Sequence, residues 1–269
     1  MRRRLPRPAT ALLLLVAWLA INLTTSRTPE DARTIAAVVT GGIAVQFIFA
    51  CALLAAAAAL LRWPDVGFGR PRRDSLGVLW LPGLYLLVIA AVVIATGLPP
   101  VAVLLVLLVN VALGAFSEEA MFRGFLYAGL RDRLAIWPSV LVTTFLFGII
   151  HVLNAFLIGN IAAALFQSLA AMMSGLMFMA LRLRLRSLWP GILFHAAWNF
   201  GLILIGRDAP PLEPGQQIPV LGVVLTFLAI LPLGAYPFWL LRHVGRDGDG
   251  LGPPAPPPVP RDAWGSLRP

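Results

Sequence analysis

About eight long apolar runs constrain this chain more than any other feature of it. They lie near 9–26, 36–61, 76–97, 101–130, 137–155, 160–181, 187–206 and 218–241, each bounded by charges or by Pro/Gly turns. A helix crossing the roughly 30 Å hydrocarbon slab needs about 20 mostly apolar residues, at about 1.5 Å per residue. Lipid offers no partner to an unpaired backbone group, and runs of this length exclude the short alternating strands of a barrel. Composition agrees, with 59% of the 269 residues hydrophobic and 12% charged, far from the balance of a soluble domain. The expected fold is all-α: a polytopic membrane helix bundle of about eight transmembrane helices.

Orientation can be read from the basic residues, all 21 of which are arginines. Arg2, Arg3, Arg4 and Arg7 precede the first run, and Arg62, Arg70, Arg72 and Arg73 follow the second. Arg131 and Arg133 follow the fourth, Arg182, Arg184 and Arg186 the sixth, and Arg242, Arg246, Arg261 and Arg268 the last. The intervening loops carry only Arg27, Arg33 and Arg207, beside Glu30, Asp31, Asp208 and Glu213. The positive-inside rule then places both termini in the cytoplasm. The net charge of +9 is thus a topology signal that suits anionic lipid, and no aromatic-interleaved basic motif points to nucleic acid. The first run has the basic start and apolar middle of a secretory signal, yet no clean small-x-small site and soluble domain follow it, so a retained anchor is expected. Trp18, Trp63, Trp80, Trp137 and Trp189 fall near run ends, where an aromatic belt is expected. Cys51 stands alone inside the second run and can form no internal disulfide. The stretch "SLAAMMSGL" offers small residues for close helix packing, and the Pro-rich tail 245–269 reads as a disordered cytoplasmic extension.

Against this apolar background a few ionisable residues stand out. Of the twelve acids only Glu118 and Glu119 lie inside a run, as do two of the three histidines, His151 and His195. Such groups cost several kcal/mol at membrane depth unless paired or hydrated, which makes them functional candidates. Arg123 follows Glu119 by four residues, on one helix face in the favourable acid-before-base order, while its offset of five from Glu118 swings it away. Glu119 is therefore the expected partner of Arg123, and Glu118, about 100° around the helix, is left to act elsewhere, as a general base can. His195 and Asn199 are four apart and can aim at one point; Phe147 and His151 repeat that spacing on another segment. Asn110 and Gln167 read as helix glue.

The succession Glu-Glu-x-x-x-Arg (Glu118, Glu119, Arg123), Phe-x-x-x-His (Phe147, His151) and His-x-x-x-Asn (His195, Asn199) resembles the CPBP intramembrane proteases. That group includes the type II CAAX prenyl endopeptidases and the Abi bacteriocin-processing or self-immunity proteins. The resemblance covers roughly 99–206 and divides the chain into N-terminal transmembrane helices (1–98), CPBP-like catalytic helices (99–206), a last transmembrane helix (207–244) and the tail (245–269). It implies an endopeptidase acting near the C-terminus of a membrane-associated, possibly prenylated, protein or peptide. Glu118 would activate water with help from His151, His195 and Asn199 would stabilise the oxyanion, and Glu119, Arg123 and Phe147 would support the site. The same resemblance leaves the cofactor open between none and a divalent metal such as Zn held by Glu118, His151 and His195. If Glu118 bound metal, a separate base would be missing.

Other readings compete. A rhomboid-like serine site would want Gly-x-Ser-Gly, but Met172 stands where the first glycine belongs, and no run holds an aspartate for an aspartyl protease. The same acids and histidines could serve a proton- or cation-coupled transporter, although no paired broken helices are evident. A catalytically idle, partner-binding immunity protein is the third possibility. Absent lysine and abundant Ala, Arg, Pro and Gly suggest a GC-rich bacterial source, hence a plasma-membrane protein. Its expected partners are lipid and a membrane-associated peptide or lipidated protein, with the pocket opening to the cytoplasm.

Overall fold

The computed structural model describes residues 5–26, 34–211, 213 and 216–244, and only the backbone of Ile158. The tail expected at 245–269 lies outside them. Among the described residues every regular element is helical: α1 (Arg7–Thr25), α2 (Ile35–Thr40), α3 (Val45–Leu61), α4 (Trp80–Thr96), α5 (Val101–Glu119), α6 (Tyr127–Arg131), α7 (Ile136–Ile149), α8 (Ala155–Ile158), α9 (Ile161–Leu185), α10 (Trp189–Gly206) and α11 (Val220–Leu240). A wide π-helical turn, Ala120–Leu126, joins α5 to α6, and 3-10 turns at Arg73–Leu79 and Ile150–Asn154 lead into α4 and α8. Among the described residues seven helical stretches are long and apolar enough to cross a membrane, and α3 is a shorter apolar helix. Leu60, Leu87 and Ile94, among many large apolar side chains, point away from the bundle. Surface of that kind is a liability in water and the normal exterior in lipid. The chain is an all-α polytopic membrane protein.

The run 36–61 is not one helix but two, broken at 41–44 between α2 and α3. Gly41 and Gly42 stand at the break, and each weakens a helix by roughly 0.5–1 kcal/mol relative to alanine. Backbone freed at membrane depth needs new partners, and the fully buried Asn110 of α5 supplies them. Its carboxamide accepts from the Ala44 amide at 2.8 Å and donates to Val39 O at 2.8 Å and Gly42 O at 2.7 Å.

The arginine-rich loops gather at one end of the bundle. Arg7 reaches Asp65 Oδ2 at 2.6 Å and Asp132 at 3.3 Å, tying the start of α1 to the loops after α3 and α6. The loop after α3 is in turn strapped to the end of α9 and the start of α10: Arg72 N donates to Leu185 O, Leu188 N to Gly67 O, Ser187 Oγ to Gly69 O and Trp189 Nε1 to Phe68 O. At the opposite end Arg207 Nη1 donates to Gly97 O at 3.1 Å, and Asn160 holds the carbonyls of Glu213 and Gln216. Helix α1 is a wall of this bundle, packing on α3, α6 and the π-helical turn. Trp18 departs from the expected belt position for that reason: it is buried, edge-on to Phe122 with ring centroids 5.6 Å apart.

Candidate active site

The central element is the continuous rod from Val101 to Arg131. It is α-helical up to Glu119 and π-helical over Ala120–Leu126, a widening that recurs at functional positions in helices. The widened turn is buried on every side, from Ala120 through Leu126. Glu119 and Arg123, both 1% exposed, pair there at 3.1 Å. The guanidinium also donates to Gly175 O at 3.0 Å and lies 3.9 Å above the Phe147 ring. A cation so enclosed is tolerated because charge, carbonyl and ring all face it.

His195 from α10 completes the arrangement. Its Nδ1 lies 3.0 Å from Glu119 Oε1, and its Nε2 lies 3.6 Å from Glu118 Oε2. A carboxylate only accepts, so Nδ1 carries the proton donated to Glu119, and Nε2 is the nitrogen turned toward Glu118. The distance of 3.6 Å is too long for a direct hydrogen bond. The imidazole is clamped by Phe178, stacked on it at 4.5 Å and 19°, and by the edge of Phe147 at 6.0 Å. His151 Nδ1 donates to Phe147 O at 2.8 Å, one turn back on its own helix, leaving Nε2 as the available nitrogen.

Glu118, His151 and Asn199 line one cavity of about 450 Å³, and His151, His195 and Asn199 line an adjoining one of about 290 Å³. The lining of the larger cavity extends from Glu118 past Asn22, Gln46, Asn110, Asn154 and Gln167 to Ser26 and Ile35. Ser26 and Ile35 flank the ends of α1 and α2 that lie away from the arginine-rich loops. The structure thus brings together all seven residues singled out from sequence. Two more contribute that sequence did not single out. Phe178 was indistinguishable from any core aromatic. Gly175 sits within the small-residue stretch: a Cβ there would lie 2.9 Å from both Arg123 Nη2 and Phe147 Cδ1, so only glycine lets the guanidinium reach its carbonyl.

A divalent metal would need several ligand side chains converging on one point. Among the described residues no group of three or more His, Cys, Asp or Glu side chains could hold an ion. Glu118, His151 and His195 therefore do not fit the metal set considered from sequence.

Residues 100–201 match the family model described as type II CAAX prenyl endopeptidase Rce1-like. This segment belongs to the CAAX protease family. The match spans α5 through most of α10, the elements carrying every candidate residue. In coarse terms the match supports a CAAX-type intramembrane protease over this segment. No curated protein and no solved structure matches it.

Proposed function

We propose that the protein hydrolyses a peptide bond in a membrane-associated peptide or lipidated protein, using water activated by Glu118. The observation that carries this reading is His195 suspended between two carboxylates, bonded to Glu119 on one side and standing 3.6 Å from Glu118 on the other, at the wall of a cavity that Asn199 and His151 also line. Glu118 Oε2 accepts a proton from water as the water attacks the scissile carbonyl. Glu119, itself neutralised by Arg123, fixes the ring orientation of His195 so that Nε2 faces the reacting centre. A protonated Nε2, with the Asn199 carboxamide one turn further along α10, donates to the developing oxyanion. His151, through its Nε2, helps hold the water. The proton taken by Glu118 then passes to the leaving amine. All of these roles belong to this chain's own side chains.

The site would operate in a bacterial plasma membrane with the arginine-rich face in the cytoplasm. The test is cleavage of a fluorogenic lipid-anchored peptide by purified protein in detergent, comparing wild type with Glu118→Gln and His195→Ala. Loss of activity by about 10²–10⁴-fold in Glu118→Gln is the expected result, with thermal unfolding unchanged because Glu118 stands outside the Glu119–Arg123 pair. Retained activity in folded Glu118→Gln would remove the glutamate mechanism.

A further inference from the structure

Three carboxamide side chains are buried among the described residues, Gln46, Asn110 and Asn160, and one of them differs from the others. Asn110 accepts from Ala44 N and donates to Val39 O and Gly42 O. Asn160 accepts from Ala163 N and donates to Glu213 O and Gln216 O. Gln46, 8% exposed at the start of α3, forms no hydrogen bond among the described residues. Its polar atoms are not sealed among other side chains either, and the residue lines the larger cavity, whose wall also carries Glu118 and Asn199. A carboxamide in that state is unfavourable at membrane depth, where leucine or methionine would simply pack. An unpartnered polar group in a native interior calls for a reason, and a ligand that brings the missing partner is one.

The local backbone fixes where Gln46 stands. The break at 41–44 ends at Ala44, whose amide is held by Asn110, so α3 begins at a defined level on α5. One residue beyond Gln46, Phe47 lies over Gly114, where a Cβ would stand 3.4 Å from its ring. Gln46 is therefore level with the stretch of α5 between Asn110 and Gly114, which precedes Glu118 by about 6–12 Å of helical rise. An extended peptide covers that span in two to four residues, at about 3.3 Å each. Every such residue other than proline offers an N–H and a C=O, and a carboxamide, donor and acceptor on one group, can meet both. A hydrocarbon chain in the same place would leave Gln46 as unpartnered as before.

We propose that Gln46 is a substrate-binding residue whose carboxamide takes a backbone amide of the peptide two to four residues from the bond on which Glu118 acts. It lies outside the family match at 100–201. The subsite rests on the geometry of α3 and the cavity; the word substrate rests on the protease reading above.

The full chain in detergent is assayed with the lipid-anchored peptide and with versions in which one backbone amide, two to four residues to either side of the scissile bond, is replaced by an ester. Gln46→Met keeps the side-chain length and removes both hydrogen-bonding atoms. Its KM for the all-amide peptide should rise roughly tenfold with kcat near wild type, a uniform-binding loss. Its thermal unfolding should hold or rise. One ester version should lower wild-type kcat/KM by a similar factor and lower that of Gln46→Met no further, the coupling expected of two groups in contact. Cleavage of every version by Gln46→Met as by wild type overturns the proposal, as do ester effects that merely add to the effect of the substitution. A marked fall in thermal unfolding also overturns it, by assigning the carboxamide to the fold. Affinity of the all-amide peptide for Glu118→Gln, with and without Gln46→Met, separates the two claims. Weaker binding with Gln46→Met, while wild type cleaves nothing, upholds the peptide subsite and removes the protease reading alone. Equal binding removes the subsite and leaves the protease reading standing.

Discussion

The half of the bundle nearer the arginines and the half beyond Glu118 are built from the same helices with opposite contents. In the first, Ala120 through Gly129 on the central rod and Met177 through Leu183 on α9 are all buried and packed against one another. In the second, the same rods diverge around cavities lined by Asn22, Gln46, Asn154, Gln167 and Asn199. Lipid supplies no hydrophobic drive between helices, so their association depends on close packing and polar contacts. The arginine-side half provides the packing. That lets the other half remain hollow, and the candidate site residues lie at the seam.

Substitutions at the seam and on either side of it should separate stability from activity. The largest effect is expected from Arg123→Met. It strips Glu119 of its cation and leaves a carboxylate 1% exposed beside His195, the situation in which breaking a buried pair costs about 3–5 kcal/mol. Thermal unfolding in detergent should fall sharply, and cleavage should vanish with it. Asn110→Leu is the case that breaks a simple division, because Asn110 lines the hollow half yet satisfies the break between α2 and α3. Removing its carboxamide orphans Ala44 N, Val39 O and Gly42 O. Each unsatisfied buried group costs about 1–3 kcal/mol, so a net loss of about 2–3 kcal/mol is expected, read by the same unfolding measurement. A near-neutral Asn110→Leu would mean that water, not protein, serves the break.

Much of this was legible in the chain. Run length announced the spans, the arginines announced one shared end, and the spacing of four between Glu119 and Arg123 announced their ion pair, because these depend on helix period and bilayer thickness alone. Three features were hidden because they depend on which helices meet. The Gly41-Gly42 break could not be told from an ordinary packing site without Asn110 from another helix. The role of His195 as a bridge between both glutamates required α10 to lie against the π-helical turn, and nothing in "FSEEAMFRGF" signals that the helix widens after Glu119. The shape of the cavity was equally hidden, since its wall is assembled from α1, α2, α3, α5, the 3-10 turn after α7, α9 and α10. The Phe68–Phe116–Trp189 aromatic contact is likewise assembled from three distant segments.

The smallest effect on stability belongs to Asn154→Ala, and it sharpens the comparison most. Asn154 Nδ2 donates to Gln167 Oε1 at 2.9 Å, joining the 3-10 turn after α7 to α9 at the cavity wall. The bond is half-buried at the wall of a cavity large enough for water, so water can replace the lost partner and the net cost should stay within about 0.5–1.5 kcal/mol. Nothing on the arginine side touches it, and the Glu119–Arg123–His195 arrangement should be undisturbed. If the hollow half guides substrate while the seam performs chemistry, Asn154→Ala raises KM for a membrane-anchored peptide by several-fold and leaves kcat near wild type, a uniform-binding loss. A fall in kcat with unchanged KM would place Asn154 at the reacting centre instead, and the separation between a packed half that holds the site and a hollow half that feeds it would fail.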